Sequence, residues 1–407
     1  MLYFPSKDSG LSIGITYAGA FAIYGIFFPF IPLIVRAKGL SDAEAGLALS
    51  AAGLAAMVGP VVFAHIADRK LQFRYLMPIL LMLGALVVGL LDMSHTVVSA
   101  FFVIFLLYLF LIPAVSLLDS FTMDFVIRGQ REGIKRSFQD YRIWGSIGFM
   151  LPSVALALWF SAHLVNVELL VVMSIATMAV CAVSALFLPA NEPVQNDANL
   201  PSKEAFQCAI RPPLRTFFMA NFVSGLALGV YYILFPRFLQ ELGCSIVEVG
   251  LIINAGVLCE VILMPFGRRL IDRFSLEVVM LMGYATIPVR MLIMVLFPSI
   301  PVMVAVQLLH APLALGVFVS TPIFLQQRAD PSFRHSLQSL NSALVLGFTR
   351  FCGPLIASIV MGISAGQPAI DGLSRALVVT GGLGLVSTII FYQVYRQGKA
   401  SNPIKLS

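Results

Sequence analysis

The stretch Ser137–Phe149, SFQDYRIWGSIGF, opens a long hydrophobic run between two polar loops. A run of this kind is typical of a membrane-spanning helix. It nevertheless carries Arg142, and a cation inside a spanning helix costs about 2.5–3.5 kcal/mol on insertion scales. Helical spacing places Gly145, Ser146 and Phe149 on the face that carries this cation. We interpret the face as one wall of a substrate cavity; the alternative is a cation that reaches the headgroups from the helix end.

The composition is that of a protein buried in lipid. The chain has 407 residues, of which 59% are hydrophobic and 11% are charged, with a mean hydropathy of +0.93. Soluble domains carry about 25% charged residues, so the sequence predicts an integral membrane protein. The net charge of +6 does not indicate nucleic-acid binding, because the cations sit in short loops. The five cysteines form no CxxC pair and predict neither disulfides nor a metal site.

Hydropathy divides the chain into two sets of apolar segments. The first apolar segment, at about 11–35, is too long for the core of a signal peptide and is expected to remain as a span. The longest polar stretch is the predicted cytoplasmic linker at 189–212, between six-helix bundles at 1–188 and 213–407. The predicted spans number twelve, at about 11–35, 42–66, 73–91, 96–127, 137–162, 166–188, 213–236, 245–267, 275–297, 301–325, 336–362 and 373–396.

The loop charges predict the orientation. With both termini in the cytoplasm, 19 Lys and Arg residues fall on the cytoplasmic side and four on the outer side. Cytoplasmic loops of membrane proteins carry such an excess of cations. We therefore expect a multi-pass protein of a bacterial plasma (inner) membrane with both termini inside.

The two halves repeat each other. The pattern SxxExGL at 41–47 recurs at 245–251, and the pair Asp-Arg at 68–69 recurs at 272–273, both at an offset of 204 residues. Ordered matches in corresponding helices indicate a duplicated unit. Two such halves, related by an axis along the membrane normal, predict a substrate site between them near the bilayer midplane.

Several stretches carry a family resemblance: YGIFFPFIP at 24–32, RIWGSIGF at 142–149, GVLCEVI at 256–262 and QLLH at 307–310. On these, and over essentially the whole chain, the sequence resembles the major facilitator superfamily, and within it the branch of phenylpropionate and lactose permeases. The resemblance implies an all-α membrane protein of twelve transmembrane helices in two pseudo-symmetric six-helix bundles, the major facilitator fold.

The resemblance also implies roles for individual residues. Arg142 would contact the substrate and Phe149 would stack on it, while Arg290 and His310 match polar residues of the ninth and tenth helices. The Asp-Arg pairs resemble the gating-loop signature of the superfamily; these are Asp68, Arg69, Asp272 and Arg273.

Two departures from the lactose permeases make a sugar substrate less favoured. The proton-carrying acid one turn after His310 is absent, since Leu313 stands there. The acids of helix seven are also missing, and Asn221 is the notable polar residue in that helix.

Charges inside the spans favour an anionic substrate. Three arginines, Arg142, Arg290 and Arg350, stand against two carboxylates, Asp119 and Glu260. Buried charges are paired or neutralised, and an arginine fork suits a carboxylate. A substrate carboxylate could supply the missing anion; an arginine that reaches interfacial water is the alternative.

Glu260 is the first candidate for the proton carrier. It has no basic residue within a turn, so its partner must come from another helix. Burial disfavours the charged form of a carboxyl group, which suits a group that must take up a proton at neutral pH. Asp119 and His310 are the further candidates, and Asp119 could equally pair with Arg142 as a structural salt bridge.

Two more residues join the predicted substrate contacts. Aromatic residues recur along the first helix at 17, 21, 24 and 28. Helix packing is the commoner reason for such a stripe, but a buried tyrosine hydroxyl needs a polar partner. Tyr24 is therefore assigned to the cavity, together with Asn221 of helix seven.

We predict a proton-coupled symporter that imports an aromatic or hydrophobic carboxylate, such as a phenylpropionate-like acid. The alternatives are nucleoside or oligosaccharide symport, efflux of an amphipathic compound, or a transporter-like receptor. No GxxxxGK[ST] or HExxH motif occurs, so neither an ATP-driven pump nor an enzyme is expected. The expected partners are protons, the solute and the lipid bilayer, with no cofactor, metal or nucleic acid, and the protein is expected to be a monomer.

Overall fold

The computed structural model describes most of the chain as helix, and its described residues contain no strand. The described residues are 10–27, 30–31, 34–35, 38–40, 42–69, 71–134, 136–163, 166–190, 203–328, 334–363 and 368–400.

The first part of the chain folds as α1 (Gly10–Phe27), α2 (Asp42–Arg69), α3 (Phe73–Gly89), α4 (Val97–Arg131), α5 (Phe138–Ala162) and α6 (Val167–Ala185). A short helix at Lys203–Ala209 precedes the second part. That part folds as α7 (Leu214–Glu241), α8 (246–274), α9 (Leu276–Leu296), α10 (Ile300–Arg328), α11 (334–363) and α12 (Ala369–Ala400).

The predicted all-α membrane architecture is confirmed. Within the described residues, ten helices are long and apolar enough to cross a membrane. Two shorter apolar stretches, Leu47–Phe63 in α2 and Phe73–Gly89 in α3, coincide with the second and third predicted spans. The count of twelve spans and the orientation of the termini stay predictions.

Reciprocal caps fix the starts of two helices that bear on the site. The backbone N–H of Ser137 donates to Asp140 Oδ2 at 2.9 Å at the start of α5. At the start of α8, the N–H of Ser245 donates to Glu248 Oε2 at 2.7 Å and Ser245 Oγ accepts from the N–H of Glu248 at 3.3 Å. The SxxE pattern at 245–251 is therefore a capping box, a helix-start device.

Apolar packing follows the predicted halves. One large buried cluster runs from Ile13 to Leu188, and two others lie between Ala205 and Val394. A fourth cluster joins the parts, since it combines residues of α4 and α5 with residues of α8, α9 and α10. The boundaries at 188 and 213 stay predictions, but each part has apolar packing of its own.

The two parts meet along two helix pairs. On one side, Asn254 Nδ2 of α8 donates to Ser153 Oγ of α5 at 3.0 Å. On the other, glycines bring the backbones of α2 and α11 together: a Cβ at Gly53 would lie 2.8 Å from the backbone nitrogen of Phe351, and one at Gly347 would lie 2.7 Å from the backbone nitrogen of Met57. The two parts are thus joined through α5 with α8 and through α2 with α11.

Glycine also sets the spacing of α1 and α5. A Cβ added at Gly148 would collide with the backbone of Ala18, whose Cα would be only 2.6 Å away. We expect Gly148→Ala to destabilise the protein by about 1–3 kcal/mol, because two backbones cannot both give way to an inserted methyl group. The purified protein is heated to a series of temperatures, and size-exclusion chromatography measures the fraction that stays folded. The fall in melting temperature reports the loss of stability.

Gly382→Ala in α12 is the matched control, since nothing lies within 4 Å of its added Cβ. The control should melt at the wild-type temperature or above. Equal melting of both variants would contradict the close packing of α1 on α5.

Candidate functional site

Glu260 lies at a junction of three helices. Its Oε1 accepts a hydrogen bond from Ser146 Oγ of α5 at 2.6 Å, and its Oε2 lies 3.5 Å from Nε2 of His310 on α10. The side chains of Glu260 and His310 are 12% and 14% exposed. The partners of Glu260 thus come from other helices, as the sequence predicts, and one of them comes from the other part of the chain.

The irregular shape of α10 brings His310 to this junction. A 3-10 turn at Gln307–Leu309 precedes His310, and a π turn at Ala314–Val319 follows it. Pro312 has no N–H to donate to the carbonyl of the preceding turn, which explains a local departure from α geometry. Gly256 lets α10 approach α8, because a Cβ there would lie 3.2 Å from the Cβ of His310.

Arg142 lies near two carboxylates and an aromatic ring. Its guanidinium Cζ is 4.3 Å from the ring centroid of Phe21 on α1. Both Asp119 and Glu260 are within electrostatic reach, by which we mean close enough for a direct Coulomb interaction between side chains. Its Nη1 is buried and has no hydrogen-bond partner within the described part of the chain. The side chain therefore points into the helix bundle.

Asp119 is held by Tyr17. The hydroxyl of Tyr17, which is fully buried, donates to Asp119 Oδ1 at 2.6 Å and links α1 to α4. Among the described residues no salt bridge joins Asp119 to Arg142, so the predicted pair is an electrostatic interaction across a gap. The direct partner of Asp119 is a tyrosine of the aromatic stripe.

Arg290 is enclosed within the second part of the chain. It is 1% exposed, its Nη2 donates to Gln307 Oε1 at 2.6 Å, and its Cζ is 4.5 Å from the ring centroid of Tyr231. Its Nε and Nη1 are buried without a hydrogen-bond partner in the described residues. The structure does not bring this predicted substrate contact to an open surface.

Arg350 of α11 is exposed and lies among tyrosines from three helices. Tyr24 of α1, Tyr108 of α4 and Tyr232 of α7 are each within its electrostatic reach. Tyr232 also reaches Glu260 and is 46% exposed. The predicted contact Tyr24 is thus placed near Arg350. From the sequence, Arg350 is one of three arginines in the predicted spans, and no role in the site is predicted for it.

Two predicted substrate contacts are engaged in helix packing. Asn221 is 1% exposed; its Nδ2 donates to Asn341 Oδ1 at 2.6 Å and its Oδ1 accepts from Tyr284 Oη at 3.2 Å. The backbone of Phe149 packs directly on Gly25 of α1. Neither observation places these side chains beside Glu260.

The second predicted gating pair, Asp272 and Arg273, lies near the end of α8, about three turns beyond Glu260. Asp272 Oδ2 is 3.8 Å from Arg268 Nε in an exposed pair, and the guanidinium of Arg273 lies 5.3 Å from the ring centroid of Phe274. The side chains of Asp68 and Arg69 fall outside the described residues. Across the described ranges, no group of three or more His, Cys, Asp or Glu side chains gathers that could hold a metal ion.

Comparison with known proteins identifies relatives along nearly the whole chain. The model of the MFS_1 like family matches residues 11–368. The "Putative nucleoside transporter YegT" of Escherichia coli (strain K12) is 24% identical over 373 residues, which cover 86% of this chain and 84% of that protein. The "Probable 3-phenylpropionic acid transporter" of the same strain is 24% identical over 341 residues, which cover 82% and 86%. The crystal structure of a mutant of the nucleoside transporter NupG has a TM-score of 0.74 at 19% identity, covering 95% of this chain and 99% of that one.

The contact of α5 with α8 gives a direct test of the site. In a cysteine-free background, Ser153→Cys with Asn254→Cys should be joined by a short methanethiosulfonate cross-linker, because the native side chains are within hydrogen-bonding distance. Cross-linking is read from the protection of both thiols against a maleimide label.

The matched control is Ser153→Cys with Ile253→Cys, since Ile253 packs into the apolar cluster of the second part. Efficient cross-linking of the control pair, or none in the test pair, would show that α5 and α8 do not face each other in this register.

Proposed function

Since the chain belongs to the MFS_1 like family, we propose that it imports a small organic solute together with a proton. Its relatives are membrane transporters of the major facilitator type, and it is itself such a transporter and not an enzyme. Its apolar helices fit a multi-pass membrane protein. We place it in the inner membrane of a bacterium, with both termini in the cytoplasm and the monomer as the working unit.

The observation that carries proton coupling is the position of Glu260. Its carboxylate is nearly buried, yet it accepts a hydrogen bond from Ser146 of the other part of the chain. When the two parts move, this bond must break, and a carboxylate that loses a hydrogen-bond donor in a low-dielectric site gains from taking up a proton. Protonation of Glu260 would therefore release α8 from α5. In this proposal His310, whose Nε2 lies 3.5 Å from Glu260 Oε2, passes the proton on.

The proposed substrate is an aromatic or hydrophobic carboxylate. Arg142 is within electrostatic reach of two acids, while no salt bridge within the described residues joins Arg290 or Arg350 to an acid. The excess of positive charge supports an anionic cargo. The likeness to a protein described as a probable 3-phenylpropionic acid transporter supports the same class.

A nucleoside is the second candidate substrate. It is supported by the likeness to proteins described as nucleoside transporters. A nucleoside carries no charge to balance an arginine, so recognition would rest on hydrogen bonds and ring stacking. The tyrosines around Arg350 could serve either class.

Glu260→Gln should abolish accumulation and preserve exchange. In proteoliposomes with an inward proton gradient, wild-type protein should concentrate labelled 3-phenylpropionate. The variant should only equilibrate it, since the amide cannot take up the coupled proton. Counterflow between equal internal and external solute needs no proton gradient and should persist.

Glu241→Gln is the matched control, because Glu241 is an exposed acid at the end of α7. It should accumulate solute as the wild type does. Full accumulation by Glu260→Gln, or wild-type uptake that ignores a protonophore, would refute the proposed coupling.

Competition separates the two substrate classes. Unlabelled 3-phenylpropionate in excess should suppress the uptake of labelled 3-phenylpropionate, whereas excess uridine should leave it unchanged. Uptake of labelled uridine that responds to the proton gradient, with none of the carboxylate, would transfer the assignment to nucleosides.

A further inference from the structure

Arg350 lies on the side of α11 opposite to its apolar exposed stripe. Phe348, Leu355 and Ile359 are 39%, 51% and 62% exposed, as expected of residues that face lipid. At about 100° per residue they lie about 140–180° around the helix from Arg350. The exposed guanidinium of Arg350 therefore faces the interior of the protein.

The neighbours of α11 define that interior. Thr349 packs on Gly225 and Gly229 of α7, and Phe351 packs on Gly53 of α2. Arg350 stands between these two contact residues in sequence and on the helix surface, so its side chain emerges between α7 and α2. The π turn at Ala343–Phe348 directly precedes it, and such turns are frequent at functional sites.

Tyrosines from three helices lie near Arg350. Tyr24, Tyr108 and Tyr232 come from α1, α4 and α7, and each is within electrostatic reach of the guanidinium. Tyr232 is also within electrostatic reach of Glu260, so this tyrosine lies between Arg350 and the Glu260 junction. Tyrosine supplies both an aromatic face and a hydroxyl donor.

The charges leave Arg350 as the accessible cation. Arg142 has Asp119 and Glu260 within reach, and Arg290 is 1% exposed behind Gln307. Arg350 is exposed, and no salt bridge to it occurs in the described residues. An accessible arginine without an acid partner can bind a carboxylate through paired, charge-assisted hydrogen bonds.

We propose that Arg350, and not Arg142, binds the carboxylate of the transported acid, with the aromatic or apolar body of the acid among Tyr24, Tyr108 and Tyr232. The assignment rests on the proposed carboxylate transport and adds the residue that determines its specificity. The class of ligand is a monocarboxylate with a ring or chain small enough for the tyrosine-lined space.

The charge balance of the site would couple the substrate to the proton. Without substrate, the cations Arg142 and Arg350 would balance the anions Asp119 and Glu260, which both lie near Arg142. The substrate anion neutralises Arg350, and the proton neutralises Glu260. Binding of either one alone leaves an unbalanced charge at low dielectric, which is costly. The two should therefore bind together, one anion per proton, without net charge movement.

The test measures binding to purified full-length protein by calorimetry, with 3-phenylpropionate and its uncharged amide as probes. Arg350→Gln should weaken carboxylate binding about tenfold to a hundredfold, which equals about 1.4–2.8 kcal/mol. The amide should bind wild type and variant within about twofold, because it makes no ion pair. Arg350→Lys keeps the charge but not the forked guanidinium, so its affinity for the carboxylate should fall between those of the wild type and Arg350→Gln.

Arg375→Gln is the matched control, because it removes an exposed arginine near the start of α12. It should bind both probes as the wild type does. Should Arg350→Gln fail to fold, the preference of the wild type for the carboxylate over the amide and the intermediate affinity of Arg350→Lys still decide. Carboxylate binding that is unchanged in either variant overturns the assignment while leaving the proposed uptake intact.

Transport assays separate the remaining outcomes. Wild-type uptake of 3-phenylpropionate should respond to an imposed pH gradient and not to a potassium-valinomycin potential. Uptake without any response to the pH gradient would refute proton coupling but leave the binding result standing. Absence of carboxylate binding in the wild type would remove both the proposed substrate and the assignment of Arg350.

Discussion

The hydrogen bond from Ser146 to Glu260 is the interaction on which the arrangement of the site depends. A charge at the centre of a bilayer costs about 2.5–3.5 kcal/mol even on lenient scales, and a buried acceptor that loses its donor costs about 1–3 kcal/mol. The hydrogen bond that Glu260 accepts from Ser146, in the other part of the chain, lowers both costs. Any motion that separates α5 from α8 at this level must offer the carboxylate something else, and a proton is the smallest replacement.

The three arginines in the spans meet the same constraint in three ways. Arg142 has carboxylates from both parts of the chain in reach and a ring beneath it. Arg290 is enclosed by an amide and two aromatic rings, whose cation–π attraction of about 0.5–2 kcal/mol each reduces the cost without cancelling the charge. Arg350 keeps an exposed guanidinium among tyrosines. Differences in enclosure, and not in residue type, decide which cation a solute can reach.

Much of the fold could be predicted from the sequence because its causes are local. Apolar runs predict the helices, and the SxxE pattern at 245–251 is a capping box formed within one helical turn. Contacts between helices are different, since Ser146 bonds Glu260 across 114 residues and Tyr17 bonds Asp119 across 102. Periodicity shows which residues share a face but not which helix that face meets. For this reason the sequence predicts a cavity position for Asn221, whereas in the structure its amide is engaged by Asn341 and Tyr284.

The charge balance also bears on the choice between the two substrate classes. If Arg142 and Arg350 balance Asp119 and Glu260 when no substrate is bound, a proton on Glu260 leaves one arginine uncompensated unless the solute brings a negative charge. A neutral nucleoside would bring none, so the protonated, loaded protein would carry an isolated cation through the change of shape. Under the proposed coupling to Glu260, an anionic solute is therefore favoured over a neutral one, and this is the physical reason to propose the acid first.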